Sequence, residues 1–127
     1  MDQLLSLIEE HGLRVVERDG STRGGFDPRS RSIRIAPGMS ERTTRSVLAH
    51  ELAHAVLGHA PSADRALRER QEQRADEWAA RLLITPAAYA AAEFARGPHP
   101  PSLAFDLGVT VEIVLAFQRL LHRERPA

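Results

Sequence analysis

The chain has 127 residues, enough for one domain with its own core and too few for two, so a single domain over residues 1–127 is expected. Its 17 basic residues, all of them arginine, balance 17 acidic ones, and no overall field favours nucleic acid or an anionic membrane surface. Without cysteine there is neither a disulfide frame nor a thiolate metal site; with no apolar run near the roughly 18 residues of a membrane span and no secretion-signal pattern, the sequence predicts a cytoplasmic protein.

From the N-terminus, Leu4, Leu5, Leu7 and Ile8, with Gly12 as a stop, predict a short amphipathic helix over residues 2–11. Residues 13–17 and 30–36 read as strands; between them Asp19-Gly20 and Gly24-Gly25 mark turns, and Gly25-Phe26-Asp27 supplies a middle strand. Together they predict a small antiparallel sheet that Pro37-Gly38 ends. If Ser32, Ile33, Arg34, Ile35 and Ala36 form its edge along a cleft, they can pair with an extended peptide substrate. The alternative is that they simply cover the core.

Ser40 is a suitable N-cap for the next helix, whose run from Thr44 to Gly58 is apolar except on one side. That side carries His50, Glu51 and His54. On a helical wheel His54 falls about 40° from His50 and Glu51 about 100° away. Two imidazoles and a carboxylate on a buried helix need a metal, a charge partner or a wet cleft, because burying them alone costs several kcal/mol. Residues four apart stand one above the other, so both imidazoles can reach one zinc ion while Glu51 reaches water beside it; this is the spacing His-Glu-x-x-His.

Catalytic zinc usually takes three protein ligands. His59 is a near miss as the third, joining only if Gly58 ends the helix and turns the chain back. The better donor lies on the following helix, predicted over residues 64–83 after a short connection. Its apolar arc holds Ala75, Trp78, Ala79, Leu82 and Leu83; Glu72 falls within that arc, Asp76 at its edge, and Glu77 on the opposite side. Glu72 is therefore expected as third ligand, and Asp76 as the acceptor that orients a ligand histidine through its other ring nitrogen. The plain alternative has both carboxylates pairing with arginines such as Arg68 or Arg74.

Thr85-Pro86 ends that helix and starts another, expected through Ala95. Gly97-Pro98-His99-Pro100-Pro101 reads as a loop close to the cleft that gates access, and Tyr89 and His99 are the available donors for an oxyanion. His11 and His122 read as surface residues. Leu103 to Leu121 has the cadence of a helix-turn-helix, with Gly108 at the turn and Thr110 as N-cap. Its second helix begins with Glu112, Ile113 and Val114 rather than basic or amide groups, which favours a packing or docking unit over a DNA reader.

The run Val47-Leu48-Ala49-His50-Glu51-Leu52-Ala53-His54-Ala55-Val56-Leu57-Gly58-His59, followed by Glu72, Ala75, Asp76, Ala79, Ala80, Leu82, Leu83 and Pro86, resembles the ImmA/IrrE family of zinc metallopeptidases. The likeness extends over residues 30–125. It implies a gluzincin-like site in which His50, His54 and Glu72 hold the metal and Glu51 is the catalytic base. It also implies a substrate class, because characterised members cut helix-turn-helix repressors and so switch on mobile-element or stress-response genes. Asp76 departs from the Asn that many members carry there.

The reading is thus an α+β, zincin-like domain, with a small sheet on a helical bundle and a helix-turn-helix-like end. It is expected to be a zinc endopeptidase acting on a repressor protein, with manganese as the other metal to consider and no direct nucleic-acid or membrane partner. Two alternatives stand beside it. One is a zinc-stabilised module that sequesters a repressor without cutting it; the other is a DNA-binding protein.

Overall fold

In the computed structural model, which describes residues 1–124, the order along the chain is α1 (Asp2–Glu10), β1 (Arg14–Glu17), β2 (Gly24–Asp27), β3 (Ser32–Ile35), α2 (Glu41–Val56), α3 (Arg65–Leu83), α4 (Pro86–Arg96), α5 (Pro100–Leu107) and α6 (Val111–Glu124). Residues 125–127 of the expected domain lie outside the described residues.

The α+β architecture is as expected, but the sheet is mixed. Its strand order is β1-β3-β2: β2 pairs antiparallel with β3, whereas β1 pairs parallel, Val15 opposite Ile33. After β1 the chain crosses to the far edge before the hairpin brings β3 back between its neighbours. Arg34 holds that crossing in place, donating to the carbonyl oxygens of Arg18 at 2.9 Å and Thr22 at 2.8 Å. Ile33 is fully buried, which puts β3 in the centre. The expectation that Ser32, Ile33, Arg34, Ile35 and Ala36 form a free edge is therefore corrected: β3 is paired on both sides.

The helices begin where capping chemistry places them. The hydroxyls of Ser40 and Thr85 accept from the N–H groups of Thr43 and Ala88, and the Asp64 carboxylate accepts from Leu67, each satisfying a donor that the first turn leaves unpaired. Leu48, Leu52, Ile84, Leu103, Ile113 and Val114 form the centre of the core. Fully burying one such aliphatic side chain contributes about 1.5–3 kcal/mol. Burial along α2 is not continuous, however. Val56 and Leu57, expected within its buried circumference, are 40% and 39% exposed because the helix runs past the core before it ends.

Arg45, near the start of α2, donates to the Gly108 carbonyl oxygen at 2.9 Å and to that of Leu83 at 3.4 Å. One guanidinium thus ties the metal-motif helix to the ends of α3 and α5. The axes of α5 and α6 bend by 106° across the turn at Gly108, within the range of a helix-turn-helix. No single helix among the described residues is long and apolar enough to cross a membrane.

Candidate metal centre

Helices α2 and α3 pack side by side, and their contact brings together groups 18 residues apart or more. His50 Nε2 lies 2.7 Å from Glu72 Oε2, His54 Nε2 lies 3.2 Å from Glu72 Oε1, and the two Nε2 atoms are 3.1 Å apart. The imidazoles stand edge to face, with centroids 4.7 Å apart and planes at 87°. Glu51 adds a fourth group: its ligand atom and those of both histidines lie within 4.8 Å of one another. Asp76 Oδ1 lies 2.7 Å from His50 Nδ1. Because an ionised carboxylate only accepts, Nδ1 carries the proton there, and Nε2 faces Glu72.

The two glutamates are held in opposite electrostatic states. Hydrogen bonds first from His50 and then from His54 keep the Glu72 carboxyl far below the usual carboxylate range, against some cost of burial. Burial pushes Glu51 up, and the neighbouring charges of His50 and His54 only partly restrain it. Burial also works against a charge on His50, yet hydrogen bonds to Asp76 and Glu72, with the charges of Asp76 and Glu51, outweigh it and raise the group to about 10. His50 thus lies between two carboxylates, Asp76 at Nδ1 and Glu72 at Nε2.

The donor set suits a metal ion. Ligands at about 2.0–2.1 Å in a tetrahedral zinc site stand about 3.3 Å from one another, and the separations here are shorter by at most about 0.6 Å. Two imidazoles and an ionised carboxylate are among the ligand types that borderline ions such as zinc accept.

These groups lie in an open cleft of about 550 Å³. Gly24, Gly25 and Phe26 of β2 form one wall, and Arg68, Gln71 and Glu72 of α3 lie along another. Ser46, Thr110 and Glu112 also line it and were not singled out as site residues by the sequence reading. Ser46 stands one turn before His50, so helical spacing was the available signal; its hydroxyl accepts from the Thr110 N–H at 3.0 Å. Glu112 pairs with Arg23 across the cleft at 3.5 Å, so the first turn of α6 faces this cavity.

Several expected placements differ. Glu72 is not within an apolar arc but at the cleft rim, its side chain 59% exposed, because its long stem reaches both histidines from outside the helix contact. Tyr89 is buried and bonded to Glu93 and Gln118, and His99 sits against Ser102 at the start of α5; neither lines the cleft, which removes both as oxyanion donors. Residues 97–101 do not line it either, since Pro100 and Pro101 form the first turn of α5. Glu77 does lie away from the cleft, where Arg119 and Arg123 of α6 hold its nearly buried carboxylate.

His59 lies beside the cluster without joining the donor triangle. Gly58 has φ +70°, the His59 N–H donates to the His54 carbonyl oxygen at 3.0 Å, and the Gly58 N–H donates to that of Ala55. This is a Schellman ending, in which a left-handed glycine reverses the chain. It brings His59 Nδ1 to 3.0 Å from His54 Nδ1, the ring nitrogen that does not face Glu72. Burial, followed by the positive field of His54 and Arg74, lowers the proton affinity of His59.

A family model described as the IrrE N-terminal-like domain, Peptidase_M78, matches residues 8–117. The chain belongs to this family. It is a zinc-dependent peptidase family, and the His50, Glu51 and His54 group could bind a metal. Comparison with curated proteins returns no match. Among solved structures, a Mycobacterium tuberculosis transcriptional regulator is similar over 98% of this chain, with a TM-score of 0.68 and 22% identity. The chain spans only 42% of that protein, and at this identity the likeness concerns the fold alone.

Proposed function

We propose that this chain is a zinc-dependent endopeptidase acting in the cytoplasm as a single domain, and that it cuts a helix-turn-helix repressor to release mobile-element or stress-response genes. The observation that carries the catalytic reading is the convergence of His50 Nε2, His54 Nε2 and the Glu72 carboxylate, with Glu51 alongside. The opposed states of the two glutamates support a division of labour: the group kept ionised is suited to a cation, and the one pushed up is suited to moving a proton. The repressor rests on the family resemblance.

His50, His54 and Glu72 would hold the ion, and Asp76 keeps the His50 ring turned so that Nε2 faces it. A bound zinc ion supplies Lewis acidity, polarising a peptide carbonyl and acidifying water. Glu51 takes a proton from the attacking water at a carboxylate oxygen as the new C–O bond forms, and returns it to the departing amine nitrogen as the C–N bond breaks. The sheet edge available to an extended substrate is that of β2, which pairs on one side only and lines the cleft.

The test measures metal content and cleavage together, on wild type and Glu51→Gln, with the helix-turn-helix repressor encoded beside this chain as substrate. Stoichiometric zinc in both, with cleavage by wild type alone, is the expected result. Equal cleavage by Glu51→Gln would remove Glu51 as the base, and a wild type that neither binds zinc nor cuts would remove the whole reading.

A further inference from the structure

We propose that His59 is a positioning residue for His54: its Nδ1 accepts the Nδ1–H of His54, fixing the tautomer and the ring angle that turn His54 Nε2 towards Glu72. The inference rests on the metal-centre reading above and adds to it a residue on the outer side of the site.

The two ring nitrogens are 3.0 Å apart and the ring planes meet at 61°. A neutral imidazole has one N–H. If His54 offers the Nε2 lone pair to a cation, its proton is on Nδ1, so His59 Nδ1 must be the acceptor and His59 carries its own proton on Nε2. Asp76 has the corresponding place on His50, 2.7 Å from Nδ1. Both imidazoles are thereby held from behind, one by a carboxylate and the other by a neutral ring.

The backbone builds this contact. His59 is bound to His54 twice, once through the rings and once through the N–H that closes the Schellman turn on the His54 carbonyl at 3.0 Å. The ring of His59 therefore has a fixed starting point relative to the residue it orients. Its nearness to His54 Nδ1 also explains why it is not a third ligand: it approaches the wrong nitrogen for that.

The test compares wild type, His59→Phe and His59→Gln, with zinc affinity read by chelator competition and ring tautomers read by long-range ¹H–¹⁵N correlation spectra. Phenylalanine keeps a ring but has no acceptor, whereas the glutamine carbonyl oxygen can accept. His59→Phe is expected to weaken zinc binding by about tenfold, the lower end of what loss of a ligand's supporting hydrogen bond usually costs. His59→Gln should recover most of that loss, and zinc-loaded wild type should show His54 protonated at Nδ1 and His59 at Nε2. Unchanged affinity in His59→Phe, or a loss that glutamine does not repair, would overturn the proposal. Should His59→Phe fail to fold, the wild-type spectrum decides, since a proton on His59 Nδ1 is incompatible with it. Wild type that binds no zinc would instead defeat the metal-centre reading itself.

Discussion

Gly24 is the position where the sheet comes closest to the metal-motif helix, so adding a single methyl group there tests how β2 and α2 are fitted. A Cβ at residue 24 would stand 2.4 Å from Val47 Cγ1, 3.0 Å from the Arg34 carbonyl oxygen and 3.5 Å from Glu51 Oε2. Carbon atoms in contact prefer about 3.5–4.0 Å, so the first approach is too short by about 1.1 Å or more. Val47 is buried and Arg34 contributes backbone, so neither can yield as freely as an exposed side-chain tip. Overpacking of this kind costs about 1–3 kcal/mol. For a chain of this size each kcal/mol is worth roughly 3–5 °C in Tm, so Gly24→Ala should melt about 3–15 °C below wild type. The assay is thermal and urea denaturation of Gly24→Ala, Val47→Ala and the double variant. Removing Cγ1 makes room for the new methyl, so the double variant should be more stable than the sum of the single effects by about 1–2 kcal/mol. A Gly24→Ala protein as stable as wild type, or strictly additive effects, would refute the steric account.

Two further outcomes follow from side-chain pairs on opposite sides of α3. Asp76→Ala removes the acceptor on His50 Nδ1 and should lower zinc affinity by about 10- to 100-fold; equilibrium dialysis against chelator checks it, and equal affinity would contradict the orienting role. Glu77 is held below the usual carboxylate range by its hydrogen bond from Arg123, against burial, with Arg119 adding to the effect. A depressed folded pKa means that the stabilisation is fully present above the unfolded value of about 4.3 and is lost as pH falls through the folded one. Glu77→Gln should therefore melt roughly 2–4 °C below wild type at neutral pH, with the gap closing in acid; a gap independent of pH would show that charge is not the cause.

What could be read from the sequence was what local chemistry determines. The helix starts at Ser40, Asp64 and Thr85 follow from capping, and the grouping of His50 with His54 follows from a four-residue spacing. That Asp76 approaches one of the two histidines followed from one more step, placing a second wheel against the first, whereas its meeting His50 depends on how α2 and α3 pack. Strand order was not legible, because alternation reports which face a side chain takes and not which strand lies next to it. The placements of Tyr89 and His99 failed for a related reason: both depend on how α4 and α5 pack, and neither carries a local pattern pointing to the cleft. Glu77 could be put on the far flank, but its partners stand 42 and 46 residues further along the chain. His59 was visible as a near neighbour of the motif, whereas the nitrogen it meets depends on how the helix ends.

The mixed sheet sets an order in which its strands can assemble and come apart. The nearest β2–β3 partners, Asp27 and Ser32, are 5 residues apart (32 − 27), whereas β1–β3 partners such as Arg14 and Ser32 are 18 apart (32 − 14). Closing the longer segment costs about 1 kcal/mol more in chain entropy, so the hairpin is the unit that forms first and opens last. The hairpin strands both pack against α2. Loosening of β1 therefore bears less on the cleft wall than loosening of the hairpin, whose persistence is bound to that of the metal-motif helix.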